Sequence, residues 1–316
     1  MTHLHHVPVL DMALWRQGPE GQAEFARQFA DAFQNIGFAH VDNHGMSRDV
    51  CGRAYSATEN LAGYSDAAWK VYEDKTSGRA TGPTLFGIEQ AADATVPDEK
   101  RFWHVERPLP DDHLAYTAGI AHRNIWPCEV PEFEPVMLAM FAEYDAVAHE
   151  LLSALELGHG CLPGELTRLT MDGQSTLRTA IYPPVINLGA PRAGEHTDIN
   201  LITLIYVFNQ ATASGLEMQT LDGEWLCVNA RPGSILINAG DMLSMWCGYH
   251  RPHGQQIRST NHRVVYDHQT ARTWRYSLPF FHHPLGSTVL AVKDGVPYTA
   301  ADYKRDRFKA NKVLAT

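Results

Sequence analysis

The second half of the chain shows a repeated pattern of short apolar runs separated by turn residues. From about residue 177 onward, these runs are rich in Val, Ile, Leu, Tyr and Phe, which favour β-strands. We predict strands at 177–182, 201–207, 216–220, 234–238, 263–266 and 276–281. Many short strands in series are typical of a β-sandwich or barrel.

The first half shows mainly helical periodicity. A short strand at 7–10 precedes an amphipathic helix at about 21–37, and the alternation at 38–42 predicts a second strand. Further helical periodicity covers about 47–75 and 132–158. Glycine and proline punctuate the stretch between these two regions, so we predict loops there.

The chain is predicted to end in a helix at 299–314. We expect its cationic side chains to face solvent; they are Lys304, Arg305, Arg307, Lys309 and Lys312. No internal repeat, low-complexity tract or linker divides the sequence. The pattern therefore predicts a single domain over 1–316, in which an N-terminal α/β and loop portion at 1–130 precedes a β-rich core at about 175–285.

Composition and charge narrow the classes of function. Of 316 residues, 44% are hydrophobic and 20% charged, as in folded globular proteins. A formal net charge of −10 should repel phosphate backbones and anionic membranes, so we expect neither nucleic acid nor membrane as a partner. No basic leader or apolar run of membrane-spanning length is present, and the five cysteines contain no Cys-x-x-Cys pair. These features predict a protein of the reducing cytoplasm.

A candidate metal site begins at His196. His196 and Asp198 are two residues apart, and on an extended strand such residues project from the same face. Two histidines and one carboxylate suit Fe(II), because this set leaves coordination positions open for substrate and O2. His262 begins another strand-like run and is the leading candidate for the third ligand.

Other histidines have similar spacing. His40 and Asp42 repeat the His-x-Asp pattern, and His104 with Glu106 forms a His-x-Glu pair. With 17 histidines in the chain, such matches arise by chance, and His196 and His262 could themselves be hydrogen-bonded core residues. The position of His196 at the start of the β-rich half favours the later pair.

Seven sequence blocks occur in a characteristic order: 7–11, 36–45, 177–184, 194–204, 238–243, 259–264 and 275–281. They include a Gly-x-His-Thr-Asp segment at 194–198, a Ser-Thr-x-His-Arg-Val segment at 259–264 and an Arg-Tyr-Ser-x-Pro-Phe-Phe segment at 275–281. Together the blocks resemble the isopenicillin N synthase-like Fe(II)/2-oxoglutarate-dependent dioxygenases.

The resemblance implies an α+β fold with a double-stranded β-helix (jelly-roll) core, flanked by helices and preceded by a small N-terminal α/β portion. It implies that His196, Asp198 and His262 hold Fe(II), and that 2-oxoglutarate and O2 are co-substrates. An intact Asp198 argues against halogenation. The implied reaction is hydroxylation, desaturation or oxidative cyclisation of a small molecule, typical of secondary metabolism, with decarboxylation of 2-oxoglutarate to succinate and CO2.

Two alternatives stay open at this point. An isopenicillin N synthase-type oxidase keeps the same metal ligands but does not use 2-oxoglutarate. A non-catalytic jelly roll would retain the metal and produce no succinate. Substrate identity, oxidative outcome and oligomeric state are left open by the sequence.

The resemblance also implies a site for the distal carboxylate of 2-oxoglutarate. Arg275 and Ser277 would form it, and they share a strand face from which a guanidinium can bind a carboxylate through paired hydrogen bonds. Arg272 is a rival, because Arg275 lies further beyond His262 than the family usually has it. Tyr182 is a further candidate for contacting the co-substrate.

Substrate contacts are predicted less sharply. The candidates are Arg178, Phe86, Phe102, Phe281 and Tyr249. Tyr249 belongs to a segment at 247–258 that is longer than the family usually has, and we expect this segment to form a polar lid or a substrate-contacting loop beside the site. The apolar candidates could form a pocket, and Arg178 could hold an anionic group.

Overall fold

A computed structural model describes residues 6–89, 97–184, 192–251, 253–254, 256–266 and 272–310. The helices are α1 (Pro19–Asn35), α2 (Arg48–Ala62), α3 (Asp66–Lys70), α4 (Leu114–Thr117), α5 (Phe133–Gly158), α6 (Gln210–Ala213), α7 (Asp241–His250) and α8 (Ala300–Ala310), with 3₁₀ turns at Leu14–Arg16 and Thr167–Thr170. Within these ranges, no helix combines the length and apolar character needed to cross a membrane.

The strands form three sheets. They are β1 (Val9–Asp11), β2 (Phe38–Asp42), β3 (Gly82–Thr84), β4 (Arg101–Glu106), β5 (Thr176–Tyr182), β6 (Ala193–His196), β7 (Ile202–Tyr206), β8 (Leu216–Gln219), β9 (Trp225–Cys227), β10 (Ile235–Ala239), β11 (His262–Val264), β12 (Arg275–Ser277), β13 (Pro279–His282), β14 (Val289–Lys293) and β15 (Val296–Thr299). The largest sheet has the order β1-β2-β10-β7-β13-β5-β4-β3, with β12 also paired to β5. A smaller sheet has the order β6-β11-β8-β9, and β14 pairs with β15.

Helix α1 joins the N-terminal portion to the core. Pro19 stands in its first turn, and Phe25, Phe29 and Phe33 recur at four-residue spacing on the face buried against α5. Gly37 follows the helix with φ +73°, and a Cβ there would lie 2.4 Å from both Arg258 O and Thr260 Oγ1. A glycine at this position therefore lets the chain turn directly into β2.

Strand β2 continues the core sheet rather than forming a separate layer. It pairs antiparallel with β10 and parallel with β1, so the N-terminal portion and the β-rich half share one sheet. Buried residues from the large sheet, including Phe38 and Leu236, meet Ala193, Met218 and Val264 of the small sheet in one apolar cluster. The two sheets thus pack face to face, as predicted for a jelly roll.

Two strands, β3 and β4, and the short helix α4 lie where loops were predicted. Strand β4 pairs with β5 along its whole length, and Trp103 on it is fully buried. Its charged residues hid the strand pattern, because they are buried and paired rather than solvated. Arg101, for example, is 3% exposed and donates a hydrogen bond to Asp66 Oδ1 at 2.7 Å.

The other differences concern element ends. The predicted strand at 276–281 is two strands, β12 and β13, and the predicted helix at 47–75 is divided into α2 and α3. The short strands β6, β9, β14 and β15 were not predicted. The C-terminal helix is described to Ala310, so Lys312 lies outside the described residues.

Candidate metal centre

The predicted triad comes together at the edge of the small sheet. Strand β6 ends at His196 and β11 begins at His262, and these two residues are direct register partners. The nearest ligand atoms of His196, Asp198 and His262 all lie within 4.8 Å of one another. Among the described residues, this is the group of His, Cys, Asp and Glu side chains close enough to share a metal ion.

Backbone carbonyls fix the orientation of both histidines. Nδ1 of His196 donates to Gly194 O at 2.7 Å, and Nδ1 of His262 donates to Thr260 O at 3.0 Å. Because a carbonyl can only accept, each Nδ1 carries the proton and each Nε2 presents a lone pair. Both Nε2 atoms lie 3.9 Å from Asp198 Oδ1, so the three donor atoms face one point.

The Asp198 carboxylate uses its two oxygens differently. Oδ2 accepts hydrogen bonds from Thr203 Oγ1 at 2.6 Å and from Asn238 Nδ2 at 2.8 Å. Oδ1 is the oxygen that faces the histidines. One oxygen is thus held by the protein, and the other is directed to the position of a metal.

Burial lowers the pKa of His196 to about 4, and its electrostatic interaction with the His262 imidazole lowers it further. The imidazole is therefore neutral near pH 7, which is the form that binds a metal. Two imidazoles and one carboxylate form a mixed donor set that fits Fe(II) and leaves room for further ligands.

The competing histidine pairs serve the fold. His40 uses both ring nitrogens, with Nδ1 3.0 Å from Ser234 Oγ and Nε2 3.1 Å from Asn229 O. His104 accepts a 2.8 Å hydrogen bond at Nε2 from Arg178 Nε, and its Nδ1 lies 3.1 Å from a backbone carbonyl. Neither histidine has a nitrogen left for a metal.

A small cavity beside the triad contains the predicted carboxylate site. Arg275, Ser277 and Tyr182 line it together with the metal ligands. Arg275 is 3% exposed, its Cζ lies 4.5 Å from the centroid of the Tyr182 ring, and its Nε and Nη1 have no hydrogen-bond partner among the described residues. A buried guanidinium with unsatisfied donors fits a bound carboxylate.

The structure distinguishes the two arginines that were candidates for binding the distal carboxylate of 2-oxoglutarate. Arg275 lies on β12 directly opposite Tyr182, and Ser277 is buried two residues further along. Arg272 is exposed and lines neither cavity at the metal centre. The geometry therefore favours Arg275 over Arg272.

A larger cavity of about 900 Å³ also borders the triad. Arg178, Phe102 and Phe281 line it, as expected for substrate contacts, and His196 and Asp198 form part of its wall. The Arg178 guanidinium lies over the Phe102 ring, with Cζ 3.9 Å from the ring centroid. The volume of this cavity suits a small organic molecule.

Two expected substrate contacts lie outside both cavities. Phe86 packs beside Arg101, whose Cζ is 5.3 Å from the ring centroid. Tyr249 is 43% exposed on α7, and its ring centroid is 4.8 Å from that of His250. The structure does not support either residue as a substrate contact.

The expected lid at 247–258 is likewise not supported. Its first part continues α7, and none of its described residues lines either cavity. The polar side chains bind elsewhere: Arg251 pairs with Glu165, and Arg258 Nη2 donates to the carbonyls of Gln219 and Thr220. These contacts hold the segment against neighbouring loops.

Sequence reasoning missed a charged network in the wall of the larger cavity. Lys100 Nζ lies 2.8 Å from Glu89 Oε2 and 2.7 Å from Asp98 Oδ2, and Arg178 Nη2 lies 3.1 Å from Glu89 Oε1. Burial would raise the pKa of the Glu89 carboxyl, but the Arg178 and Lys100 charges outweigh it and hold that pKa well below its usual range. Asp98 also accepts a hydrogen bond from the amide of Gly194 on the metal-bearing strand.

The C-terminal helix also contributes to this cavity. Lys304, Arg307 and Phe308 line it, so the expectation that the cationic side chains of α8 simply face solvent is wrong for Lys304 and Arg307. Tyr303 on the same helix donates a hydrogen bond to Asp241, and Asp241 also accepts one from Thr197, between two metal ligands. These contacts seat α8 over the site.

Comparison with known proteins agrees with the site. The model of the N-terminal region described as "non-haem dioxygenase in morphine synthesis N-terminal" matches residues 7–129, and the 2OG-Fe(II) oxygenase superfamily model matches residues 173–284. Together they cover most of the chain, including the triad, Arg275 and Ser277.

Similar proteins extend the match to nearly the full length. The "2-oxoglutarate-Fe(II) type oxidoreductase ppzD" of Metarhizium majus is 27% identical, over 98% of this chain and 95% of the relative. The "2-oxoglutarate-dependent dioxygenase caaD" of Aspergillus niger is 26% identical, over 96% and 92%.

Solved structures confirm the jelly-roll fold. A 2OG-Fe(II) oxygenase family protein from Caulobacter crescentus aligns with a TM-score of 0.82 at 28% identity, over 96% of this chain and 98% of that chain. A full-length Neurospora crassa protein in complex with alpha-KG aligns with a TM-score of 0.81 at 24% identity, over 96% of each chain. The fold, the triad and the two matched models lead to one conclusion: the chain belongs to the isopenicillin N synthase-like 2-oxoglutarate–Fe(II) oxygenase family, and is an Fe(II)/2-oxoglutarate-dependent dioxygenase.

Proposed function

We propose that the two cavities bind different reactants, 2-oxoglutarate in the small cavity and the substrate in the larger one. His196, Asp198 and His262 hold Fe(II), and 2-oxoglutarate binds in the small cavity with its distal carboxylate on Arg275 and Ser277. The larger cavity holds a small molecule that is hydroxylated, desaturated or oxidatively cyclised. In each turnover O2 is consumed, and 2-oxoglutarate is decarboxylated to succinate and CO2.

The unsatisfied Arg275 guanidinium carries this proposal. A buried cation whose Nε and Nη1 lack partners is costly unless an anion binds there. A carboxylate would accept charge-assisted hydrogen bonds from the guanidinium, and the hydroxyl of Ser277 could donate a further one. Tyr182 lies against the guanidinium and restricts its position.

The iron, when bound, supplies the activation of O2. The chain supplies position and environment. Carbonyl acceptors keep the two Nε2 lone pairs directed to one point, and Thr203 and Asn238 hold the second oxygen of Asp198. Apolar residues of the small cavity, such as Ile205, exclude water from the co-substrate.

The alternatives of an oxidase independent of 2-oxoglutarate and of a non-catalytic jelly roll are less well supported. The chain keeps the full triad and, beside it, an arginine whose Nε and Nη1 have no hydrogen-bond partner among the residues that the structure describes. Relatives that match over nearly the full length carry 2-oxoglutarate in their names. An oxidase that used no 2-oxoglutarate would leave these buried donors without an anion.

The test is an anaerobic titration of purified protein with Fe(II) and then 2-oxoglutarate. We expect the weak visible charge-transfer band of a chelated complex in the wild type. Arg275→Ala should need at least tenfold more 2-oxoglutarate to form the band, because it removes a charge-assisted pair worth about 1.5–3 kcal/mol. Arg272→Ala is the matched control, since it removes an exposed guanidinium nearby.

A wild type that binds iron without developing the band would contradict the proposal and favour the oxidase that does not use 2-oxoglutarate. Equal effects of Arg272→Ala and Arg275→Ala would contradict the assignment of the clamp. A wild type that does not bind iron would contradict both enzymatic interpretations, the dioxygenase and the oxidase.

A further inference from the structure

Most charges in the wall of the larger cavity are already paired. Arg178 and Lys100 face Glu89 and Asp98, which gives two cations and two anions in one network. Arg79 Nη2 lies 3.3 Å from Glu73 Oε1. This part of the wall is therefore close to neutral and offers little net attraction to an ion.

The remaining acidic side chains are also engaged. Glu106 is buried, accepts a hydrogen bond from the amide of His122 and lies 3.6 Å from its Nδ1. Glu195 is exposed at the rim and accepts from Asn261. These two carboxylates are hydrogen-bonded within the protein, and the remaining acidic residue of the wall, Asp198, is a metal ligand.

Lys304 on α8 is the exception. In the described part of the chain it makes no ion pair or hydrogen bond, and its ammonium lies 5.6 Å from the centroid of the Phe308 ring. It is only partly exposed and lines the cavity. An ammonium held against a cavity wall without a partner is complementary to an incoming anion.

Its neighbours place this charge inside the cavity. Burial, and next the Lys304 ammonium, hold the pKa of His283 well below its usual range, and Asp198 acts on the same imidazole. One turn along α8, the buried Nε of Arg307 has no hydrogen-bond partner within the described ranges, and its Nη2 is 4.0 Å from Asp241 Oδ2. Lys304 and a partly satisfied Arg307 thus give this end of the cavity a surplus of positive charge.

Five apolar side chains form another part of the lining. Phe102, Phe281 and Phe308 are joined by Ile88 and Ile120. Aromatic and aliphatic walls with one cationic end match a molecule that has an apolar body and a single anionic group. Within about 900 Å³, such a molecule can reach from α8 to the metal ligands.

We propose that the substrate is a small organic anion with an apolar body, and that its anionic group pairs with Lys304 while the body lies along the phenylalanine wall toward the triad. This inference rests on the proposed function, because it names the substrate class of the same site. It assigns to α8 a direct part in substrate recognition.

The experiment compares two fluorescent probes with the same aromatic body. 1-Anilinonaphthalene-8-sulfonate carries one anionic group, whereas N-phenyl-1-naphthylamine is its neutral counterpart. Each is titrated anaerobically into the Fe(II) protein with saturating 2-oxoglutarate, which keeps the small cavity occupied. The variants are Lys304→Met, the conservative Lys304→Arg and, as matched control, Lys309→Met on the exposed face of α8.

We expect the wild type to bind the sulfonate more tightly than the neutral probe. Lys304→Met should weaken sulfonate binding about tenfold, as the loss of one charge-assisted contact implies, and leave the neutral probe unchanged. Lys304→Arg should retain the preference, and Lys309→Met should behave as wild type.

Equal weakening of both probes in Lys304→Met, or no weakening, would overturn the inference, as would a wild type that does not distinguish the probes. The visible band of the 2-oxoglutarate complex is recorded in the same samples. Its absence in the wild type would count against the proposed function alone, because probe binding is measured without turnover.

Discussion

The hydroxyl of Thr203 donates a 2.6 Å hydrogen bond to Asp198 Oδ2, the carboxylate oxygen that is not directed at the two histidines. Both residues are buried. Thr203 lies on β7 in the large sheet, whereas Asp198 follows β6 in the small sheet. This hydrogen bond, together with the one from Asn238 on β10, ties the metal-binding carboxylate to the opposite layer of the fold.

The first prediction concerns this bond. Thr203→Val keeps the side-chain shape but removes the donor, so Asp198 loses one of two groups that orient it. We expect Fe(II) affinity to fall about tenfold to a hundredfold, as is usual when a partner of a metal ligand is lost. Anaerobic Fe(II) titration measures the change.

Thr117→Val makes the same chemical change at an exposed position and serves as control. Unchanged iron affinity in Thr203→Val would show that Asn238 alone orients the carboxylate.

The second prediction concerns Gly240, which precedes α7. A Cβ at this position would lie 2.2 Å from Asn200 O and 3.0 Å from Asp198 O, both of which are backbone atoms that cannot rotate away. We expect Gly240→Ala to lower the free energy of unfolding by about 1–3 kcal/mol through overpacking, and to weaken iron binding by displacing Asp198. Urea denaturation and Fe(II) titration measure the two effects.

Gly52→Ala is the matched control, because a Cβ there meets nothing within 4 Å and Gly52 lies within α2. It should leave stability unchanged or raise it by up to about 1 kcal/mol. A Gly240→Ala protein as stable as Gly52→Ala would mean that the loop carrying Asp198 adjusts at little cost.

The third prediction concerns the pH dependence of stability. His282 is fully buried, and burial lowers its pKa to about 3 from an ordinary value of 6.5. Below pH 6.5 the unfolded chain binds a proton at this residue and the folded chain does not, so stability is lost as the pH falls from 6.5 toward 3. The expected loss is about 1.4 kcal/mol per pH unit from His282.

Denaturation of the wild type and of His282→Asn between pH 7 and pH 4 measures this effect. The variant lacks the titrating group, so its stability should decline less steeply with falling pH. Parallel curves for the two proteins would contradict a neutral, buried His282.

The metal centre could be predicted from sequence because its residues are ordered by local rules. The two-residue spacing of His196 and Asp198 predicted that both could reach one ion, and they do, although β6 ends at His196 and Asp198 lies just beyond it. His262 stands at the start of a recognisable strand. The buried Arg275 was likewise predicted from the pattern Arg-Tyr-Ser. That pattern favoured Arg275 over its rival Arg272, and the burial of Arg275 and the exposure of Arg272 agree with this choice.

The larger cavity could not be predicted in the same way. Arg178 is far in sequence from Glu89 and Lys100, and the pairing of β4 with β5 brings it beside them. Strand β4 itself was hidden by its buried charges. Lys304 was predicted to face solvent as part of a charged helix. The local sequence does not show against which surface of the folded chain a helix will pack.

The two cavities share part of their walls. Lys100, Arg178 and Phe281 line both, together with His196 and Asp198, whereas Lys304, Phe308 and the residues at 77–80 line the larger cavity alone. A substitution in the shared wall alters co-substrate binding along with substrate binding. As the sequence evolves, such a change can therefore impair both binding steps at once. New substrate preferences can therefore evolve most freely through α8 and the segment before β3, where the chain can change what it oxidises while leaving the oxidising machinery intact.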